Sequence, residues 1–212
     1  MPPTVCKQCS TLHAGYANDM SKVAAFFDID NTIMRGASIF HLARGLFSRK
    51  ILSASDLTNY AIAQSKFLVS GSENMNDLAR ITENALSFAK GRTVEEMNAL
   101  CSDVYDEIMV DKVWPGTVQL AHTHIAAGHE VWLVSAAPIE LADIIAARLG
   151  LTGAIATISE IVHGQYTGRL KSEPMHGAQK AIAIRDLADA RGIDLAHSFA
   201  YSDSKNDVSL LS

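Results

Sequence analysis

Three short apolar runs punctuate the chain, and each ends in a polar cluster. Residues 23–27 are wholly apolar and run into Asp28-Ile29-Asp30-Asn31-Thr32. Residues 129–134 read H-E-V-W-L-V and precede Ser135-Ala136-Ala137-Pro138. Residues 198–201 lead into Ser202-Asp203-Ser204-Lys205-Asn206-Asp207. Runs of this kind predict buried strands of a parallel sheet. Between Thr32 and Trp114 the periodicity changes. Apolar residues recur at helical spacing over 38–50, 55–69, 76–90 and 93–110, with no convincing strand among them. Ser55 is placed to cap its helix, Thr93 and Glu96 have capping-box spacing, and Gly71 and Gly91 punctuate helix ends. Four helices inserted after the first strand would make a small bundle. Trp114-Pro115-Gly116 predicts the return to the core, because Pro and Gly break a helix. A further helix is expected over 139–149 with Pro138 in its first turn, and another around Lys180.

The polar clusters suggest chemistry. Asp28 and Asp30 fall at the carboxyl end of a predicted strand, where open α/β sheets build their ligand sites. If the strand held that far, alternation would put both carboxylates on one side. Two like charges that close call for a cation, and magnesium prefers such hard oxygen ligands. Ser135, a hydroxyl at a strand end ahead of helix N-terminal amides, suits an anion such as phosphate. Asp203 and Asp207 add two acids at a third strand end.

Taken in order, D-x-D-x-T at residues 28–32, Ser135, Lys180, and D-x-x-x-D at Asp203 and Asp207 resemble the haloacid dehalogenase superfamily. The Y-T-G-R-L stretch at 166–170 and the G-A-Q-K turn at Lys180 are similar to its phosphoserine-phosphatase-like subgroup, subfamily IB. The resemblance spans 23–211. It implies an α/β fold: a Rossmann-like, doubly wound parallel sheet core with an inserted helical-bundle cap of the C1 type. Residues 1–22 would be a poorly ordered extension, 23–34 and 112–212 the catalytic core, and 35–111 the cap.

By the same resemblance the chain would be a magnesium-dependent phosphomonoesterase. Asp28 is the expected nucleophile, forming an aspartyl-phosphate, and Asp30 the general acid and base. Mg2+ would be held by Asp28, the backbone carbonyl of Asp30, Asp203, and Asp207 directly or as a brace. Ser135, Lys180 and Asn206 would bind the phosphoryl oxygens, and Thr32 would orient the loop. Lys205 and Arg35 lie near the motifs. The expected partner is a small phosphorylated metabolite, phosphoserine being one candidate. Known phosphoserine phosphatases carry a Glu leading into the cap and a substrate-reading Arg; residues 33–38 contain no acid here, and Arg80 is a loose match. The alternatives are a regulatory or binding domain that keeps the fold, or the first part of a phosphatase/acyltransferase.

Composition narrows this picture. The chain has 212 residues, is 48% apolar, and carries a net charge of −5, which gives no footprint for nucleic acid. No apolar run approaches the ~18 residues of a membrane span, and the first 22 residues lack a secretory centre. A cytoplasmic protein is expected. Three cysteines suggest no disulfide framework. Cys6, Cys9 and His13 have only half the spacing of a zinc site, and Cys101 reads as a packing residue. His122, His124, His129 and His163 have no ligand-like grouping with the acids.

Overall fold

The computed structural model describes residues 22–52, Thr58 and 86–203. Four parallel strands form the sheet: β1 (Ala24–Phe27), β2 (Glu130–Pro138), β3 (Gly153–Thr157) and β6 (Phe199–Tyr201), in the order β3-β2-β1-β6. Between β3 and β6 an antiparallel hairpin, β4 (Ser159–Val162) and β5 (Gln165–Leu170), stands apart from the sheet. The helices are α1 (Ser38–Ser48), α2 (Val94–Val104), α3 (Pro115–Ala126), α4 (Ile139–Arg148) and α5 (Ala178–Arg191).

Alternation along β1 explains its unbroken apolar sequence. Ala25 and Phe27 pack on one face with Val131 and Leu133 of β2, beneath Ala121 of α3 and Leu141 and Ile145 of α4. Ala24 and Phe26 point to the other face, with Val134, Ile184 and Ala188 of α5. Both faces are covered, as an all-parallel sheet requires. The chain passes from β1 to β2 and β3 on one side, then crosses to β6 on the other. The switch point therefore lies at the carboxyl end of β1, between its two neighbours.

Helices α1 and α2 join the first core cluster through Leu42, Leu46, Cys101 and Val104. Their approach is close: a Cβ on Gly45 would sit 2.5 Å from Val104 Cγ2, so only glycine fits there. Thr93 and Glu96 form the expected capping box, with Glu96 N donating to Thr93 Oγ1 at 3.2 Å and Thr93 N donating to Glu96 Oε2 at 2.9 Å. Cys101 is fully buried, as a packing residue should be.

The structure departs from the sequence expectations at several points. The helix expected over 93–110 is α-helical only to Val104; it widens to a π-helical turn at Tyr105–Met109 and tightens to a 3-10 turn at Val110–Lys112. Pro115 opens α3 instead of merely ending what precedes it, because its missing N–H costs nothing at a first helical position. Pro138 ends β2 and stands at the N-cap of α4, outside the first turn. Strands β3, β4 and β5 were not anticipated. The helix expected over 55–69, Gly71, most of 76–90, and the cysteine pair with His13 lie outside the described residues.

Candidate active site

Asp28 is the first residue past β1. Its amide donates to Tyr201 O of β6 at 2.9 Å, which fixes the backbone at the switch point. Its carboxylate is buried and accepts from Lys180 Nζ at 2.8 Å. Lys180 lies in the first turn of α5, 152 residues away in sequence, and is 5% exposed. A buried ammonium is tolerable only with a counter-charge, and here the counter-charge is the expected nucleophile.

The strand does not extend to Asp30. Ile29 is fully buried and its carbonyl accepts from Ile33 N and Met34 N, each at 3.0 Å, so the chain turns at once. That turn, and not strand alternation, places the second acid. Asn31 takes a positive φ of 55°, which a short polar side chain tolerates, and its Oδ1 accepts from Gly36 N at 2.9 Å. Asp30 Oδ1 accepts from Ser38 N at 2.8 Å. Residue 37, the N-cap of α1, is an alanine with no side-chain bond to offer, so Asp30 supplies an acceptor for an otherwise orphaned helix amide. Although the residue retains some exposure, protein surrounds its carboxyl group. Burial pushes its pKa up, against smaller opposing effects of the Ser38 hydroxyl and amide and of the charges of Lys180 and His41.

Thr32 Oγ1 accepts from Asp203 N at 3.1 Å, tying the loop after β1 to the residue just past β6. This is the orienting role expected of Thr32. Ser135 is 2% exposed and its Oγ accepts from Ala137 N at 3.1 Å, holding a tight turn inside the end of β2. Asp28, Lys180, Asp30, Thr32 and Asp203 are thus linked by these bonds and by neighbouring strand ends, and Ser135 lies at the end of the adjoining strand. Lys205, Asn206, Asp207 and Arg80 lie outside the described residues. Arg35 places its guanidinium 4.2 Å from the centre of the Trp114 ring. His122 bonds Leu149 O at 2.8 Å, and His124 bonds both His129 and Tyr201 OH.

Among the described residues no three His, Cys, Asp or Glu side chains group as a metal cluster. The described candidate ligands are the carboxylates of Asp28 and Asp203 and the Asp30 carbonyl. All are hard oxygens, which fits magnesium better than a softer ion.

Sequence reasoning gave no role to Ser38, Thr157 or Glu140, and it read Tyr166 only as part of the Y-T-G-R-L stretch. Ser38 contributes its amide to Asp30, and its only signal was its place at a predicted helix start. Tyr166 OH donates to Glu140 Oε1 at 2.7 Å, joining the hairpin to the first turn of α4; both side chains are buried.

Comparison with known proteins shows the family. Residues 25–212 match the haloacid dehalogenase-like hydrolase family, and the chain belongs to it. It is 50% identical over 189 residues to phosphoserine phosphatase SerB1 of Mycobacterium tuberculosis, covering 89% of this chain and 61% of that relative. The chain spans less than two thirds of the mycobacterial relatives it matches at this level, 63% and 61% of their lengths. A solved protein of unknown function from Bordetella pertussis Tohama I superposes with a TM-score of 0.73 at 25% identity, covering 90% of this chain and 86% of that one. A substrate-bound phosphoserine phosphatase shares the fold, with a TM-score of 0.60 at 20% identity over 89% of this chain and 81% of that one. No helix among the described residues is long and apolar enough to cross a membrane.

Proposed function

We propose that this chain is a magnesium-dependent phosphomonoesterase that acts on a small phosphorylated metabolite through an aspartyl-phosphate. One observation carries the reading: a buried Asp28–Lys180 pair at 2.8 Å stands beside a second carboxyl group, Asp30, whose pKa burial raises. A nucleophile next to a proton donor needs such a division of environments.

Asp28 attacks phosphorus in line with the leaving oxygen, and the phosphorus–oxygen ester bond breaks as the new bond to the carboxylate forms. Asp30 gives its proton to the leaving alcohol. It then takes one from the water that hydrolyses the acyl phosphate. Lys180 offsets the charge on the transferring phosphoryl group, and Ser135 and Asn206 supply donors to its oxygens. Asp28, the Asp30 carbonyl, Asp203 and Asp207 would hold Mg2+, which when bound neutralises much of the phosphate's charge. Residues 35–111 act as the cap over the core formed by 23–34 and 112–212. We read the location as cytoplasmic.

Phosphoserine is one candidate substrate, supported by the name of the mycobacterial relative. Release of inorganic phosphate from a generic aryl phosphate, with and without magnesium, tests the activity. A panel of phosphorylated metabolites then ranks substrates. A folded chain that releases no phosphate from any of them in magnesium overturns the proposal.

A further inference from the structure

Thr157 ends β3 and belongs to none of the motifs above, yet it touches two of the elements that carry them. In the ladder between β2 and β3, Val134 pairs with Ile155 and Pro138 with Thr157. Ser135, Ala136 and Ala137 therefore bulge out opposite Ala156 alone. Such a bulge re-aims side chains and breaks the local ladder, leaving backbone groups that need other partners. Pro138 cannot help, because it has no amide hydrogen.

The Thr157 hydroxyl repairs the gap. It donates to Ala136 O, the carbonyl next to Ser135, at 2.8 Å. The same oxygen accepts from Met175 N at 3.1 Å. Met175 lies in the segment that turns through Gly177 at φ 53° and delivers Lys180 into the first turn of α5. Thr157 is 8% exposed. A hydroxyl can donate and accept at once, so a single buried atom joins the loop that presents Ser135 to the segment that presents Lys180.

We propose that Thr157 is a positioning residue for phosphoryl binding: it sets the spacing between the Ser135 loop and the Lys180 helix through these two bonds. The inference rests on the phosphatase reading, since it gives those two elements a shared ligand. Valine has nearly the shape of threonine but neither bond, so Thr157→Val isolates the hydroxyl. Thr157→Ser keeps it.

The test uses the full chain in magnesium. For wild type and both variants, it measures kcat and KM on an aryl phosphate, binding of orthovanadate as a phosphoryl mimic, and the thermal midpoint. Misplacing groups that hold the reacting atoms costs up to ~100-fold. Thr157→Val is expected to lose roughly 10- to 100-fold in kcat/KM and to weaken orthovanadate by about 10-fold or more. Thr157→Ser should recover most of both. The proposal is overturned if Thr157→Val stays within about 2-fold of wild type on both measures, or if its activity falls only with its folded fraction while orthovanadate affinity is unchanged. It is also overturned if serine does not rescue. A wild-type chain that neither hydrolyses the ester nor binds orthovanadate overturns the phosphatase reading and this one together. An active wild type with an unaffected valine variant overturns this one alone.

Discussion

Asp28 and Asp30 stand two residues apart, yet the protein treats them in opposite ways. The region around Asp28 is built on charge: a buried ammonium 2.8 Å away answers the carboxylate. The region around Asp30 is built on enclosure, opposed in part by the hydroxyl and amide of Ser38, with Lys180 and His41 acting only through their fields. Burial without a bonded cation favours the protonated acid. The lesson is that a two-residue spacing carries no information about role. The role comes from which distant element arrives at each carboxyl group, α5 for one and the start of α1 for the other.

The largest expected effect breaks the comparison at its reactive member. Asp28→Asn keeps the shape and an oxygen for Lys180 but removes the nucleophile. Aryl phosphate hydrolysis should fall by roughly 10³-fold or more, as when a residue that forms the covalent bond is lost. A variant within about 10-fold of wild type would show that the nucleophile lies elsewhere.

Lys180→Met attacks the same pair from the other side. It leaves a carboxylate buried without its counter-charge, which typically costs about 3–5 kcal/mol. Urea denaturation measures the loss. Adding Asp28→Asn to the methionine variant should restore a large part of it, because the stranded charge is then gone. A double variant no more stable than the single one would deny that the pair is electrically coupled.

Asp30→Asn sharpens the contrast through pH. The raised pKa means that the folded state holds the Asp30 proton more tightly than the unfolded chain, whose ordinary value is 3.8. Its contribution to stability is full below that value and is lost as pH rises through the folded-state pKa. Asparagine keeps an oxygen for the Ser38 amide and carries no charge at any pH. The variant should therefore gain stability relative to wild type as pH rises through that window. Its kcat should drop by about 10²- to 10⁴-fold, the usual contribution of a general acid. Melting midpoints at a series of pH values, with parallel rates, check both. Equal midpoint shifts at acid and alkaline pH would contradict the burial argument.

How much of this was legible depended on the kind of signal. Asp28, Ser135 and Asp203 each follow an apolar run, so strand and site announce each other. Lys180 was read from its place in a motif order; nothing local in H-G-A-Q-K says that its ammonium will be buried on residue 28. That contact comes from topology, because α5 packs on the face of β1 that carries Ala24 and Phe26. The hairpin was missed because its turn is His163-Gly164, both at positive φ (50° and 78°). Asn-Gly or Asp-Gly is the usual signal for such a turn, and a histidine there is rarely read as one. Thr157 and Ser38 were invisible for a different reason: one contributes a hydroxyl and the other an amide, groups too common to stand out until the fold brings carbonyls and carboxylates to them. The widening of α2 at Tyr105 has no local sequence signal that we can identify.

The smallest predicted effect comes from a third carboxylate, which tests whether burial alone is what distinguishes Asp30. Glu140 is 7% exposed, yet it accepts a neutral donor, the Tyr166 hydroxyl, at 2.7 Å. Burial and the nearby carboxylate push the phenol's pKa upward, so it keeps its proton throughout the working range. Tyr166 is itself anchored: its amide donates to Arg92 O at 3.0 Å and its carbonyl accepts from Gly91 N at 2.8 Å. Tyr166→Phe removes only the hydroxyl and leaves Glu140 enclosed without that donor, a loss of roughly 1–3 kcal/mol. Urea denaturation should register it with little change in the pH dependence of kcat, since Glu140 neither attacks nor donates a proton in the proposed reaction. If the pH profile moved as well, the first turn of α4 would be coupled to the Asp30 proton, and the division between an acid defined by enclosure and a carboxylate held by a neutral donor would have to be redrawn.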